Sequence, residues 1–265
     1  MSLRIKKAET LQAVAREFVR TRFDGKHGVM GVLLTGSASL GYVDSLTDID
    51  LEVMATESLW QKARGMCGSE KYRGREVWWE YMTSNEIESQ LKDWRDDIDL
   101  WVYSKTTILY DPQGKLKRFL SKYKKYPRRI WLEKLFTYFY FATGSAPYDS
   151  GKAIQRRDYI TAQLYLNQAI EYYTCLIFVL NGSFIPYRKW RLKEFEGLAY
   201  KPKDYKETLR KVLTVTDWSK QEFERKQRLI TALAGVLQKR LSKAGIADEK
   251  LSDPWRYKVF YVPRA

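Results

Sequence analysis

The sequence predicts an α+β fold: an N-terminal mixed sheet flanked by helices, followed by a C-terminal α-helical bundle. Strand-like segments fall within residues 1–112, whereas long helical periodicities fill residues 113–265. A turn-forming segment, Asp111-Pro112-Gln113-Gly114, separates the two parts. Charge changes at the same point: residues 1–112 hold 15 basic and 18 acidic residues, net −3, and residues 113–265 hold 32 and 14, net +18. We therefore predict two domains, 1–112 and 113–265.

The N-terminal elements each have a local signal. Apolar residues at helical spacing, with basic residues between them, predict an amphipathic helix over residues 8–23 that covers the sheet. The segment Thr83-x-x-Glu86 has the form of a capping box and opens another helix, to about residue 94. The remaining predictions are strands at 29–35, 48–55, 75–83 and 106–110, and a helix at 58–66.

The C-terminal part has the pattern of a helical bundle. An aromatic-rich helix is predicted over residues 130–143, with Gly144 as its C-cap. The strongest helical pattern covers residues 158–180, and Asn181-Gly182 closes it. Further helices are predicted at 203–213 and 219–244, and the aromatic tail 253–263 is expected to pack onto the body.

Composition excludes several classes of protein. Of the 265 residues, 45% are hydrophobic and 30% are charged, which is typical of a soluble globular protein. No signal-peptide pattern opens the chain, and its longest apolar run, 172–180, is too short to span a bilayer. We therefore expect a cytoplasmic protein without a membrane segment. Cys67, Cys175 and His27 leave almost no material for a zinc site, a disulfide framework or a histidine-dependent triad.

The most informative segment covers residues 32–54 and has the sequence VLLTGSASLGYVDSLTDIDLEVM. Side chains two positions apart on a strand share a face, so Asp48 and Asp50 project together while Ile49 and Leu51 turn into the core. Two adjacent carboxylates repel each other unless a cation lies between them or both are solvated. The pattern predicts a divalent-metal site at Asp48 and Asp50.

The turn before these acids fits the same chemistry. Gly36 and Ser37 follow an apolar strand and offer backbone N–H groups, and glycine lets a phosphate approach without a Cβ in the way. A phosphate on one side and a metal on the other describe a bound nucleoside triphosphate. The alternative is a solvated strand-turn-strand in which the acids are incidental.

This combination of Gly-Ser, a spacer of about ten residues and Asp-x-Asp on the next strand resembles the signature of the DNA polymerase beta-type nucleotidyltransferase superfamily. The C-terminal part resembles the helical domain of a bacterial nucleotidyltransferase family of unassigned substrate, which is similar in layout to the aminoglycoside and lincosamide nucleotidyltransferases. The segments that carry this second resemblance are 157–159, 164–171, 180–182 and 186–190.

The resemblance implies an activity. It implies a Mg²⁺-dependent enzyme, with two ions, that moves a nucleoside monophosphate, expected to be AMP, from ATP or another NTP to a hydroxyl group of a small molecule. An antibiotic is one such acceptor. The sequence does not identify the acceptor or the preferred NTP, and it leaves open whether the protein is a monomer or a homodimer.

Glu80 is the candidate for a third metal-binding and catalytic carboxylate. It lies in the middle of an otherwise apolar predicted strand, where an unpaired charge would be costly. In the superfamily that the chain resembles, a third carboxylate on a following strand completes the metal site and helps to deprotonate the attacking hydroxyl. Glu76, on the same face, is the rival candidate. A second Asp-x-Asp at Asp97 and Asp99 has no Gly-Ser turn before it and is predicted to be a solvated helix face.

The nucleotide site departs from its antibiotic-modifying relatives at one point. Those relatives often carry an arginine or lysine shortly after Gly-Ser, whereas this chain has Ala38, Ser39 and Leu40. Ser39 therefore joins Gly36 and Ser37 in the predicted nucleotide-binding set, and Arg188 or Lys189 of the helical domain is predicted to supply the missing positive charge. The alternative is that Arg188 and Lys189 belong to a basic loop on a basic domain.

Glu171 has two open interpretations. It is a carboxylate on a mostly apolar helix face, which is unusual. In antibiotic-modifying relatives the helical domain can contribute an acid that binds the acceptor or acts as base, so Glu171 is a catalytic candidate beside Glu80. Its structural alternative is an ion pair with an arginine or lysine.

A nucleic-acid-binding protein is the alternative function, less favoured because the Gly-Ser and Asp-x-Asp pattern is intact. Residues 115–129 contain eight basic residues and no acid. Aromatic residues presented for base stacking would support this function, but Phe119, Tyr123 and Tyr126 fit a buried helix face equally well.

Overall fold

The protein, represented by a computed structural model, is described over residues 3–45, 47–63, 67–92, 94, 96–243 and 245–246. It forms two compact units, the first extending to Lys125 and the second beginning at Tyr126. The elements of the first unit are α1 Leu3–Arg22, β1 Val29–Leu34, α2 Gly36–Ser39, β2 Ile49–Ala55, α3 Glu57–Ala63, β3 Gly68–Tyr72, β4 Arg75–Met82, α4 Ser84–Lys92, α5 Asp97–Lys105, β5 Thr107–Tyr110 and α6 Lys115–Ser121.

The described strands form a mixed five-stranded sheet in the order β3-β4-β2-β1-β5. Strand β2 lies at its centre, antiparallel to β1 and parallel to β4. The two edge strands, β3 and β5, each pair antiparallel with their neighbours. This arrangement confirms the α+β fold with a mixed sheet that the sequence predicts.

The two faces of the sheet differ in chemistry. Alternate residues of β1, β2 and β4 are buried against α1: Val32, Leu34, Ile49, Leu51, Val53 and Val77 pack with Leu11, Ala15, Phe18, Val19 and Phe23. The residues between them on β2 are Asp50 and Glu52, which project from the other face because strand side chains alternate. One face therefore packs on α1, and the other carries the acids of β2.

The capping box that opens α4 is confirmed. The backbone N–H of Thr83 donates to Glu86 Oε2 at 2.8 Å, and the N–H of Glu86 donates to Thr83 Oγ1 at 3.2 Å. Strand β3 has no counterpart among the sequence predictions. Its sequence, GSEKY, is polar because it is an edge strand, and Gly68 is required where the ring of Trp79 leaves no room for a Cβ.

The division between the units lies later than the sequence predicts, between residues 125 and 126 instead of 112 and 113. Helix α6 accounts for the difference. Its Leu116 is fully buried and packs so closely on Gly31 of β1 that a Cβ at Gly31 would collide with the leucine side chain. The first helix of the basic segment therefore belongs to the sheet unit.

The second unit is helical. Its elements are α7 Arg128–Tyr140, a π-helical turn Phe141–Ser145, α8 Ala146–Gln155, α9 Tyr159–Leu180, α10 Arg188–Phe195, α11 Tyr205–Leu213 and α12 Lys220–Lys243. Helix α9 packs against α7, α8, α11 and α12 and supplies much of the core. The helical bundle that the sequence predicts is confirmed.

Two details of the helical prediction differ from the structure. The helix predicted to stop at Gly144 instead passes through the π-helical turn into α8, because Gly144 does not adopt the positive φ of a helix-ending glycine. The predicted packing of the tail 253–263 lies outside the described residues. None of the described helices is long and apolar enough to cross a membrane.

Candidate functional site

The turn after β1 and the second aspartate of β2 are in contact. Gly36 has a φ of +61°, and a Cβ at this position would collide with the Asp50 carboxylate. The backbone N–H of Thr35 donates to the Asp50 carbonyl at 2.9 Å, which extends the pairing of the two strands into the turn. Only glycine meets both demands, a left-handed backbone and close approach to a carboxylate. The structure thus brings together Gly36 and Asp50.

The two serines of the turn have different surroundings. Ser37 is half-buried, and its carbonyl accepts the N–H of Tyr42 at 2.9 Å, which closes the turn. The Ser39 hydroxyl donates to the Lys105 carbonyl at 2.6 Å and lies 3.4 Å from Thr107 Oγ1. Ser39 therefore ties α2 to the end of α5, a structural role that the sequence did not predict.

Asp48 lies immediately before β2 and is half-buried like Asp50. The segment in front of it is held by Arg75, whose Nη1 donates to the carbonyls of Asp44 at 3.3 Å and Thr47 at 3.3 Å. This arginine opens β4, the strand beside β2 in the sheet. The position of Asp48 is thus fixed by a neighbouring strand as well as by its own.

Glu80 shares the face of Asp50 but not its register. Across β2 and β4, Asp50 pairs with Trp78 and Glu80 pairs with Glu52. Among the described residues, no group of three or more acid, histidine or cysteine side chains lies close enough to hold a metal ion. The structure therefore does not gather Asp48, Asp50 and Glu80 into a three-residue metal set. Glu80 and its rival Glu76 are both exposed.

Glu52 is the residue that sequence reasoning missed. Burial raises the pKa of its carboxyl to about 7; a hydrogen bond from the Tyr103 hydroxyl opposes this rise, and the nearby charges of Glu80, Asp99 and Asp50 add to it. Its Oε2 atom is buried and has no hydrogen-bond partner in the part of the chain that the structure describes. The alternation of Asp50 and Glu52 along β2 was the available signal, because both acids project from one face of the strand.

The second Asp-x-Asp is not a solvated face, as the sequence predicts, because α5 docks against the acidic side of the sheet. Asp97 is only 6% exposed, and Asp99 is half-buried, with a pKa raised by burial and by the charge of Asp96. Asp96 caps the helix, since its Oδ1 accepts the N–H of Ile98 at 2.9 Å. The charge of Asp99 raises the pKa of Glu52, which places α5 beside the β2 acids.

Glu171 lies in the second unit and is ion-paired. Its carboxylate accepts a hydrogen bond from Arg191 Nη1 and lies 3.3 Å from Arg188 Nη2. The Arg191 side chain is only 13% exposed. This is the structural alternative that the sequence leaves open for Glu171, and it also occupies Arg188.

Arg188 and Lys189 open α10, so they lie in a helix and not in a loop. The Lys189 ammonium lies 5.6 Å from the centroid of the Tyr187 ring and 5.5 Å from that of the Trp190 ring. A phosphate contact from either residue stays a prediction.

The basic residues of segment 115–129 are exposed, and its aromatic residues are engaged. Phe119 packs on Tyr123 at a centroid distance of 5.6 Å, and Tyr126 packs edge-on against Phe184 at 4.6 Å. Tyr123 is buried. These rings stabilise the local fold and do not form a platform for stacking bases, which weakens the nucleic-acid alternative.

Comparison with known proteins agrees with the predicted fold. A sequence family described as "Domain of unknown function (DUF4037)" matches residues 96–191. No curated protein matches the chain. Among solved structures, a nucleotidyltransferase-like protein from Exiguobacterium sibiricum 255-15 superposes with a TM-score of 0.53 at 13% sequence identity, over 88% of this chain and 78% of that one. The chain therefore has a nucleotidyltransferase-like fold.

Proposed function

We propose that the protein is a Mg²⁺-dependent nucleotidyltransferase that moves a nucleoside monophosphate, expected to be AMP, from an NTP to a hydroxyl of a small molecule. The observation that supports this most directly is the contact between Gly36 and Asp50. It joins the turn suited to phosphates and the acid suited to a metal at one end of the central strands. A solvated turn would need neither the left-handed glycine nor its contact with a carboxylate.

The donor set fits magnesium. Mg²⁺ is typically held by one or two carboxylates, with substrate phosphates and water completing its octahedron. Asp48 and Asp50 supply that number, so a third protein ligand is not required. When bound with the NTP, Mg²⁺ stabilises charge on the attacking and leaving oxygens of an in-line displacement.

The residues of the chain have separable roles in this proposal. Gly36 and the backbone N–H groups of the turn receive the triphosphate, and Asp48 and Asp50 hold the metal. Glu80 is exposed on the same face as Asp50, which suits it to take the proton of the acceptor hydroxyl as that oxygen attacks the α-phosphorus. The bond to pyrophosphate breaks, and pyrophosphate leaves with the electron pair.

The test is transfer from α-labelled NTPs to a panel of metabolites and antibiotics, with Asp50→Asn beside Asp24→Asn. Asp24 is an exposed loop aspartate, so it controls for the loss of one surface charge. We expect Asp50→Asn to abolish transfer and to remain folded, because it removes a metal ligand and relieves repulsion. Near wild-type turnover of Asp50→Asn with Mg²⁺ would show that the metal assignment is wrong.

A further inference from the structure

The sheet unit carries a strongly basic surface that the proposed reaction does not use. Six basic side chains within residues 115–125 are exposed, some on α6 and the others on the turn that follows it. They form what we call the basic surface: Lys115, Lys117, Arg118, Lys122, Lys124 and Lys125. Helix α6 turns its charges outward, because Leu116 is fully buried and packs on Gly31 of β1. With about 3.6 residues per turn, Arg118 and Lys122 fall on the side opposite Leu116.

The acids near the basic surface are committed to other partners. Asp111 caps α6, since its two carboxylate oxygens accept backbone N–H groups of the first turn at 3.2 and 3.0 Å. Burial and the charge of Glu88 raise the pKa of Tyr123, which places this glutamate near the turn, but it pairs with Lys92 at 3.2 Å. Among the residues that the structure describes, no acid forms an ion pair with any of the six. The positive charge of the basic surface is therefore not neutralised by the described chain.

The composition of the basic surface selects the kind of partner. Protein interfaces are centred on buried aromatic and apolar side chains, and helices that lie on a membrane insert an apolar face. The basic surface offers neither, because none of the large exposed hydrophobic side chains of the described chain lies within residues 115–125. Dense positive charge without an apolar centre is instead typical of surfaces that bind nucleic acid.

The aromatic residues of the segment decide between single and double strands. Phe119 packs on Tyr123 at a centroid distance of 5.6 Å, and Tyr123 is buried. Proteins that hold single strands stack successive bases on exposed rings. In a duplex the bases are already stacked on each other, and the phosphates are available to basic side chains. The engaged rings therefore oppose base stacking, but they do not oppose contacts with the phosphates of a duplex.

We infer that the basic surface binds double-stranded nucleic acid through its phosphates, without reading the base sequence. A duplex carries one negative charge for about every 1.7 Å of its axis, so a length equal to that of α6, about 10 Å, carries about six. The six basic side chains match that number. This interaction is separate from the Gly36 turn and is an addition to the proposed reaction.

The test measures binding in EDTA without nucleotide, so that it does not depend on nucleotidyl transfer. A fluorescent DNA duplex of about 20 base pairs, roughly two helical turns, is titrated with the protein and followed by anisotropy. Each phosphate contact lowers the logarithm of the association constant by about 0.9 per logarithmic unit of salt concentration. Three or more contacts should therefore weaken binding at least about 40-fold between about 50 and 200 mM salt. A smaller fall would overturn the inference, as would a clear preference between two duplexes of unrelated sequence.

Matched triple variants assign the binding to the basic surface. The α6 variant replaces three of its lysines: Lys115→Gln, Lys117→Gln and Lys122→Gln. The control replaces three exposed lysines that are paired with glutamates in the helical unit: Lys206→Gln, Lys211→Gln and Lys220→Gln. Both proteins lose three positive charges, so an effect of net charge alone would weaken binding equally.

We expect the α6 variant to bind at least about tenfold more weakly than the control at about 100 mM salt, with a salt slope lower by about 2.7. Equal affinities would overturn the inference. If the triple variant does not fold, single variants of the same lysines replace it, each with a slope lower by about 0.9. Unchanged slopes in all three would then overturn the inference.

Further probes separate the kinds of partner. A single strand of the same length should bind more weakly than the duplex, because its charge density is lower. Phosphatidylglycerol vesicles represent a membrane surface, and polyglutamate represents an acidic protein. If any of these three bound as tightly as the duplex at equal salt, and lost binding in the α6 variant, the inference would be overturned.

Discussion

Glu52 and Glu171 are two partly buried glutamates with opposite surroundings. Glu171 in the helical unit meets two arginines. Glu52 in the sheet unit lies near three other acids, and its Oε2 has no partner among the described residues. A charge that the fold neutralises contributes to stability, whereas a charge that the fold leaves unpaired costs stability and is available to a ligand. The comparison separates an acid that the fold pairs with arginine from one whose described charged neighbours are other acids.

The largest effect is expected from removing the charge of Glu52. Its folded pKa of about 7 exceeds the ordinary 4.5, so the folded state holds this proton more tightly than the unfolded state. The wild type therefore loses stability as pH rises from about 4.5 to 7. Glu52→Gln lacks this loss and should be more stable at pH 8 by up to about 3 kcal/mol, with no advantage below pH 4.5. Denaturant unfolding in EDTA at both pH values measures it.

Glu57→Gln serves as the control, because its exposed carboxylate should change stability by less than about 1 kcal/mol at either pH. A Glu52→Gln variant that is less stable than the wild type at pH 8 would mean that Glu52 has a partner that stabilises its charge. The comparison with Glu171 would then fail.

Removing an arginine that pairs with Glu171 is expected to lower the stability of the fold, whereas removing the charge of Glu52 is expected to raise it. Arg191→Leu leaves Glu171 with only the exposed Arg188 and removes the bond from Arg191 Nε to the Pro186 carbonyl at 3.3 Å. We expect a loss of about 2 kcal/mol, less than for a fully buried pair because Glu171 is 34% exposed. Arg188→Leu, whose arginine is 79% exposed, should cost less than about 1 kcal/mol. Equal losses of stability for the two variants in thermal unfolding would mean that Arg191 stabilises the pair no more than Arg188 does.

The sequence predicted what depends on local spacing. The Gly36 turn, the outward face of Asp50 on β2 and the capping box at Thr83 follow from residues close together in the chain. It could not predict register between strands, which decides that Trp78 and not Glu80 lies beside Asp50. It also could not predict the docking of α5.

The acids show this limit most clearly. The alternation along β2 gave the face of Glu52, but its hydrogen-bond donor is Tyr103 of α5, 51 positions later in the chain. In the same way, the partner of Glu171 comes from another helix, 20 residues away. A carboxylate's role follows from its partners, and partners distant in sequence appear only in the folded chain.

Gly36→Ala tests whether the turn beside Asp50 requires glycine. Alanine would be strained at φ +61° and would also collide with Asp50. Gly74→Ala is a matched control, since Gly74 has a φ of +78° and open space around it. Strain alone should cost both variants about 1 kcal/mol, and the collision should add about 1 kcal/mol at Gly36. Equal losses in denaturant unfolding would mean that the contact with Asp50 is loose.

The variant with the smallest expected effect tests whether other acids of the sheet unit, unlike Glu52, are satisfied by hydrogen-bond donors. Glu86 lies in the same unit and is satisfied, because its carboxylate accepts the N–H and the hydroxyl of Thr83 at 2.8 and 3.2 Å. Thr83→Ala should cost about 1 kcal/mol and speed amide exchange at the start of α4. Ser219→Ala provides the counterpart in the helical unit, where the Glu222 N–H donates to the Ser219 hydroxyl at 3.4 Å and the Glu222 carboxylate is paired with Arg225. It should cost about half as much.

Amide exchange reports each helix separately, which a global melting curve of two units does not. If exchange at the start of α4 stays slow in Thr83→Ala, the cap contributes little to the stability of the helix. The Glu86 carboxylate would then be weakly satisfied, and Glu52 would not be an exception within the sheet unit.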